Sequence, residues 1–187
     1  EKRNTTKEQQ KKIEIGVVIK QDMSENQAKF VYLGIGSNLG NRKKNIETAK
    51  YKLIENNIKI LKISNFYESF SWPNSKDPKF LNVVLQIFTE ETPYNLLEIC
   101  KKIEVILGRK KSAKNAPRIC DIDILDFKRK LINKNIELPH PRMHKRNFVL
   151  LPLFEIDKNW THPVTKLHIK TLISLISNRD IRSIKQI

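Results

Sequence analysis

The sequence predicts an α+β domain of the ferredoxin-like (split βαβ) class, an antiparallel sheet with packed helices in three α/β/α layers. From residue 30 onwards, apolar runs and amphipathic stretches follow the order strand–helix–strand–strand–helix–strand, which is the split βαβ pattern. A chain of 187 residues, 39% of them hydrophobic, can bury one core of this size. No apolar run reaches the roughly 20 residues of a membrane span, and the start lacks the apolar region of a signal peptide. We therefore expect no membrane partner and a cytoplasmic location.

Residues 1–29 differ in composition from the rest of the chain. They are rich in Lys, Gln, Asn and Glu around one apolar patch, Ile13 to Ile19. This composition is typical of a polar extension or linker, although the patch could also end a preceding domain. The chain does not begin with Met, so we expect it to be trimmed or to be a piece of something longer. We expect the folded domain over residues 30–178 and a polar tail over residues 179–187.

The first half of the pattern begins with a buried strand at Phe30–Ile35. A tight turn with Gly, Ser and Asn comes next, and it predicts a capped helix entry. Asn41 to about Glu55 has helical spacing of its apolar residues. Ile58–Tyr67 predicts the second strand. The loop after it contains Trp72, which is a candidate lid or ligand contact, although a Trp at this position could equally pack against the core.

The second half repeats the arrangement. Phe80–Glu90 predicts the third strand, and Pro93 opens a helix that we expect to run to about Leu107 before Gly108 ends it. The core then closes with a strand at Pro117–Leu125. Beyond it we expect a short hairpin and two helices, over the ranges Phe127–Ile136, Phe148–Ile156 and Leu167–Ile176.

The strand at Pro117–Leu125 carries the strongest chemical signal. Because side chains alternate along a strand, Asp121 and Asp123 project from one face while Ile122 and Ile124 face the core. Two adjacent carboxylates repel each other unless a cation lies between them, and hard oxygen ligands suit Mg²⁺. Five cations precede or flank the pair without an intervening acid: Arg109, Lys110, Lys111, Lys114 and Arg118. This arrangement fits a nucleoside-triphosphate site, but an edge strand with a solvated acidic face would give the same spacing.

Four segments together resemble one family, the hydroxymethyl-dihydropterin pyrophosphokinases of folate biosynthesis. They are YLGIGSNLGNR at Tyr32–Arg42, FLNVVL at Phe80–Leu85, IEVILGR…PRICDIDIL at Ile103–Leu125 and LPHPRMHKRNFVLLPLFEI at Leu138–Ile156. Their order and spacing match over about residues 30–176. The combination of Arg-x-x-Asp-x-Asp with Leu-Pro-His-Pro-Arg makes the resemblance specific.

The resemblance implies an enzyme that transfers pyrophosphate from ATP to the hydroxymethyl group of 6-hydroxymethyl-7,8-dihydropterin and releases AMP. It implies ATP as co-substrate and two Mg²⁺ ions held by Asp121 and Asp123. The implied catalytic residues are Asp121, Asp123, Arg109 and Arg118. The implied ATP-binding residues are Lys101, Glu104, Arg109, Lys111, Arg118, His140 and Arg146. The implied pterin-binding residues are Gly36, Ser69, Phe70, Phe80, Asn82, Asp121 and Phe148.

Two departures from the family pattern fall in one loop. Asn115-Ala116 stands where the family commonly has Trp-Gly, so we expect closure of this loop over the site to be altered. Lys111 stands where a second loop arginine is usual, and it keeps the charge but not the bidentate fork of arginine.

Two other classes of function fit parts of the sequence. The net charge of +16 is typical of a basic ferredoxin-like nucleic-acid-binding domain, but the strands lack paired aromatics and the two aspartates would lie on a phosphate path. We therefore do not expect nucleic acid as a partner. The chain could also be a catalytically weak domain of a multifunctional folate enzyme, fused to dihydroneopterin aldolase or dihydropteroate synthase. Cys100 and Cys120 have neither disulfide nor metal spacing, and we expect free thiols.

Overall fold

The computed structural model of the chain describes residues 28–71, 74–110 and 115–187. The apolar patch at Ile13–Ile19, Trp72 and Lys111 lie outside these residues. Both cysteines are free and buried, as expected. None of the helices in the described part of the chain has the length and apolar character needed to span a bilayer.

One antiparallel sheet organises the described residues. Its strands in chain order are β1 (Val31–Ser37), β2 (Lys59–Ile63), β3 (Tyr67–Ser69), β4 (Phe80–Phe88), β5 (Asp121–Phe127) and β8 (Lys185–Gln186). Across the sheet the order is β5–β1–β4–β3–β8, and β2 pairs with β4 further along the same edge as β3. Strands β1 and β4 are therefore central. This order is that of the predicted ferredoxin-like class, in which the two βαβ halves interleave.

Helices cover both faces of this sheet, which confirms the three-layer prediction. Helices α1 (Arg42–Glu55) and α2 (Pro93–Ile106) pack on one face against the odd-numbered apolar residues of β1 and the isoleucines of β5. Helices α3 (Asn147–Ile156) and α4 (Ile169–Ser174) pack with Trp160 on the other face. The alternation of side chains along each strand assigns residues to the two cores.

The predicted helix boundaries agree with the capping chemistry. The Asn41 side chain accepts a hydrogen bond from the Lys44 amide (3.0 Å), and the Thr92 hydroxyl accepts one from the Asn95 amide (3.1 Å). Each bond satisfies an amide in the first helical turn that has no intrahelical partner. Gly108 follows α2 with φ of 100°, the left-handed conformation that ends many helices.

The single strand predicted over Ile58–Tyr67 is wrong, because the chain forms two short strands there. Ile63 pairs with Leu85 and Tyr67 pairs with Asn82, so one side of the ladder has an extra residue. Ser64 occupies the break, where its hydroxyl accepts a hydrogen bond from the Val84 amide (3.0 Å). An alternating apolar pattern in the sequence does not predict that a side chain will take the place of a backbone hydrogen bond between two strands.

The region after β5 also differs in detail from the prediction. The hairpin lies later, as β6 (Ile132–Lys134) and β7 (Ile136–Leu138), because Asn135 adopts the positive φ of 64° that the turn needs. A 3₁₀ turn, Met143–Lys145, precedes α3. Instead of a polar tail, the last ten residues form helix α5 (Asn178–Ser183) and strand β8, and β8 joins the main sheet beside β3.

Candidate active site

Two glycines of β1 create a strip of sheet without side chains. Gly36 lies opposite Asp121 of β5 on one side and opposite Asn82 of β4 on the other. Gly34 lies in the same way between Asp123 and Val84. Residues directly opposite in an antiparallel pair project to the same face, so the aspartates and the amide face each other across the glycine strip. A cavity of about 680 Å³ opens over this strip.

Most residues that the sequence analysis assigned to the site line this one cavity. They are Gly36, Ser69, Phe70, Phe80, Asn82, Lys101, Arg109, Arg118, Asp121, Asp123, His140, Arg146 and Phe148. The set comes from strands β1, β3, β4 and β5, helices α2 and α3, the loop that follows β3, and the loops that precede β5 and α3. The fold thus brings together segments that are more than 100 residues apart in the chain.

The acidic pair is held by cations in two separate groups. The Asp121 Oδ1 atom accepts hydrogen bonds from Arg109 Nη1 (2.9 Å) and Arg118 Nη1 (3.1 Å). Asp123 faces another arginine, since its Oδ2 atom lies 3.4 Å from Arg146 Nη1 and 3.8 Å from His140 Nε2. The two carboxylates therefore lie within a ring of positive charge, as the phosphates of a nucleotide also require.

Glu104 has a different place from the one predicted, because it does not line the cavity. Its side chain is fully buried behind the wall and accepts a hydrogen bond from the Ile122 amide (2.8 Å). It also forms ion pairs with Lys101 and Arg109. Burial lowers the pKa of Arg109, but the carboxylates of Glu104 and Asp121 outweigh this effect and raise it. Glu104 therefore holds two cations of the cavity wall in position and ties α2 to β5.

The surroundings of His140 favour the neutral form of its ring. Burial lowers its pKa, and although Asp123 opposes this effect, Arg146 and Arg142 lower the pKa further. The ring Nδ1 atom accepts a hydrogen bond from the Arg142 amide (3.1 Å). In the neutral tautomer Nε2 therefore carries the proton and faces Asp123.

The other end of the cavity is aromatic with one buried amide. Asn82 is 6% exposed, and its side chain donates to the Tyr67 carbonyl (3.2 Å) and the Ser69 hydroxyl (3.0 Å). Phe80 lies beside it over Gly36, where a Cβ atom would stand 3.2 Å from both the Asn82 Oδ1 atom and the Phe80 ring. Phe148 lies on the α3 side, with the Arg146 guanidinium 5.4 Å from its ring centroid. Aromatic faces beside a polar amide suit a flat heterocycle with hydrogen-bonding edges.

Sequence reasoning missed Asn38, which it treated only as part of a turn. The buried Asn38 side chain accepts a hydrogen bond from the Arg118 amide (2.7 Å) and donates to Ser71 Oγ (3.3 Å) and the Pro78 carbonyl (3.0 Å). It therefore joins the end of β1 to both loops that border the cavity. Further lining residues without a predicted role include Arg142, Lys145, Asp180 and Ser183. Of these, only Arg142 and Lys145 lie in one of the four family segments.

The donor set suits a hard divalent cation that shares its ligands with a substrate. Within the described ranges, no group of three or more His, Cys, Asp or Glu side chains could hold a metal ion. Asp121 and Asp123 nevertheless both face the cavity. Magnesium commonly takes one or two carboxylates and completes its octahedral shell with waters and phosphate oxygens, so the pair fits Mg²⁺ bound together with a nucleotide.

Comparisons with known proteins agree with this geometry. The family model described as 7,8-dihydro-6-hydroxymethylpterin-pyrophosphokinase (HPPK) matches residues 32–158. The 2-amino-4-hydroxy-6-hydroxymethyldihydropteridine pyrophosphokinase of Aquifex aeolicus is 44% identical over 141 residues, which cover 75% of this chain and 88% of that protein. The folic acid synthesis protein fol1 of Pneumocystis carinii is 41% identical over 155 residues, which cover 82% of this chain.

Some of these relatives are much longer than the chain. It spans only 21% of the Pneumocystis protein. Among solved structures, Plasmodium falciparum HPPK-DHPS with pteroate has a TM-score of 0.68 at 17% identity, and the match covers 84% of this chain and 45% of that one. This likeness concerns the fold. The family match and the Aquifex relative together show that the chain belongs to the HPPK family.

Proposed function

We propose that this chain transfers a pyrophosphoryl group from ATP to the hydroxymethyl oxygen of 6-hydroxymethyl-7,8-dihydropterin, giving the pterin diphosphate and AMP. One observation carries the proposal: a single cavity places an acidic pair ringed by cations at one end and aromatic rings beside a buried amide at the other. The two ends match a triphosphate and a pterin. The glycine strip of β1 lies beneath both ends of the cavity, so the two substrates can bind next to each other.

At the nucleotide end, the chain neutralises and orients phosphate. Arg109, Arg118 and Arg146 already contact the aspartates, and their guanidinium groups are suited to bidentate contacts with phosphate oxygens. Asp121 and Asp123 would hold two Mg²⁺ ions, which supply charge neutralisation of the phosphates when bound. His140 and Lys101 add hydrogen-bond donors to the same wall. Transfer of this type depends mainly on position and charge, so the site needs no strong base.

At the pterin end, the chain orients the acceptor. Phe80 and Phe148 would stack on the ring, and Asn82 would hydrogen-bond to its polar edge. The Asn82 amide is fixed by Tyr67 and Ser69, so it is oriented before the ligand arrives. Such preorganisation reduces the entropy lost on binding.

Asn115 lines the cavity with φ of 65°, in the loop where we expect altered closure. We expect this loop to cover the nucleotide less completely than a loop with Trp would, and so to slow turnover. The domain could also act within a larger folate enzyme, a proposal supported by the small share of the Pneumocystis protein that it matches.

The test is AMP release from ATP and Mg²⁺, measured by chromatography with and without hydroxymethyl-dihydropterin. We expect AMP only when both the pterin and Mg²⁺ are present. Release of ADP would contradict the proposal, because it would mean transfer of a single phosphoryl group. Pterin-independent hydrolysis would contradict it too, since the aromatic end would then have no role.

A further inference from the structure

The last ten residues, 178–187, form a strap that lies beyond the matched family region, which ends at residue 158. The strap consists of α5 and β8. It is joined to the domain at two places, and both lie beside residues of the pterin end.

The first fastening is at the sheet edge. Strand β8 pairs antiparallel with β3, with Gln186 opposite Tyr67, and the Ile187 amide donates to the Phe66 carbonyl (2.9 Å). The opposite edge of β3 pairs with β4 at Asn82. A three-residue strand held on one side only would fray easily, so β8 secures the strand whose Tyr67 carbonyl and Ser69 hydroxyl orient the Asn82 amide.

The second fastening is at the start of α3. The Asn147 side chain donates to the Asp180 carbonyl (2.6 Å) and accepts a hydrogen bond from the Phe148 amide (2.7 Å). Ser183 closes this contact, because its hydroxyl also donates to the Asp180 carbonyl (2.7 Å). One amide side chain therefore connects the strap to the backbone that carries the Phe148 ring.

The strap also contributes directly to the cavity wall. Asp180 and Ser183 line the same cavity as Ser69, Asn82 and Phe148. The Asp180 carboxylate accepts a hydrogen bond from Ser177 Oγ (2.7 Å), which fixes it at the beginning of α5. It adds a third carboxylate to a wall that contains Asp121 and Asp123 and is otherwise rich in Lys and Arg.

We propose that the strap is a specificity element of the active site, whose contacts with β3 and Asn147 position Asn82 and Phe148 for the pterin. This inference rests on the proposed function, since it assigns the strap to one of its two substrates. The arginines that hold the acidic pair bond to Glu104, Asp121 and Asp123 rather than to the strap, so binding of ATP should not depend on it.

The test compares Michaelis constants for the two substrates in variants of this chain. Ile187→Pro removes the amide that donates to Phe66, and Ile187→Ala is the matched control that keeps this amide. We expect Ile187→Pro to raise the KM for the pterin by about 2–10-fold, the usual range for one lost hydrogen bond, and the control to leave it unchanged. A chain that ends at Ser177 should raise it by about 5–30-fold. The KM for ATP should stay within about twofold in each case.

A merely structural role would give a different result, because a general loss of stability would affect both substrates alike. Equal rises in the two Michaelis constants would therefore overturn the proposal, as would an unchanged pterin KM in the shortened chain. Should the shortened chain fail to fold, the Ile187→Pro and Ile187→Ala pair decides alone.

Hydrogen exchange tests the positioning role of the strap independently of the proposed function. In Ile187→Pro we expect faster exchange at the amides of Tyr67–Ser69 and of Phe148, and no change in α1 or α2. If the unaltered protein makes no pterin-dependent AMP, the proposed function fails, and this local exchange pattern still tests the fastenings. Unchanged exchange rates at both places would overturn the proposed role of the strap.

Discussion

Gly36→Ala is the sharpest test of the site, because Gly36 lies between the acidic pair and the pterin end. A Cβ atom there would stand 3.2 Å from the Asn82 Oδ1 atom and 3.2 Å from the Phe80 ring. Both neighbours would have to shift by a few tenths of an ångström. Overpacking of this kind costs about 1–3 kcal/mol of strain, which the two side chains relieve by shifting away. They can return to their ligand-binding positions only at this cost, so the affinity for the pterin should fall by about 5–150-fold.

The same strand offers a matched control. A Cβ atom at Gly34 would stand 3.4 Å from the nearest Leu125 methyl group, an ordinary van der Waals contact. Replacing Gly by Ala within a strand stabilises the chain by roughly 0.5–1 kcal/mol, so neither variant should unfold. We therefore expect Gly34→Ala to keep its pterin affinity and Gly36→Ala to lose it.

The assay is pterin binding measured by calorimetry, beside ATP binding on the same samples. Gly36→Ala should weaken pterin binding and leave ATP binding almost unchanged. The reasoning fails if the two glycine variants bind the pterin equally well, because the close approach at Gly36 would then have no consequence. It fails equally if Gly36→Ala weakens ATP binding as much as pterin binding.

Three other predictions concern the cations, the buried acid and pH. Arg118→Ala should lower kcat by about 10²–10³, the usual cost of one transition-state charge contact, and a kcat equal to that of the unaltered protein would remove Arg118 from the site. Glu104→Gln should lower the free energy of unfolding by about 1–3 kcal/mol, because the partly exposed Lys101 and Arg109 lose their ion pairs with the buried carboxylate, and urea denaturation measures this loss. Burial lowers the pKa of His162 from 6.5 to about 4, so the unfolded chain binds more protons between these values and stability should fall as pH drops from 6.5 towards 4. His162→Asn, whose amide oxygen can accept the Val164 and Thr165 amides in place of Nδ1, should flatten this pH dependence in thermal unfolding.

Local patterns predicted the strands and helices whose signals lie within their own residues or directly beside them. Strand β1 follows from its apolar run, while α1 and α2 follow from their apolar spacing, from the turn that ends at Asn41, and from Pro93 and Gly108. The shared face of Asp121 and Asp123 follows from the period of a strand. These features depend on residues a few positions apart, so the sequence by itself determined them, and the four family segments added the expected function.

Tertiary structure alone decided which residues meet. Phe148 could have belonged to the core, and only the packing of α3 on the sheet brings it to the cavity beside Asn82. Glu104 has the same helical position whether it faces ligand or protein, and the approach of β5 buries it. Strand β8 carries too little apolar character to be recognised, because its pairing with β3 consists of backbone hydrogen bonds. Backbone pairing and burial depend on partners distant in the chain, which no local pattern of residues specifies.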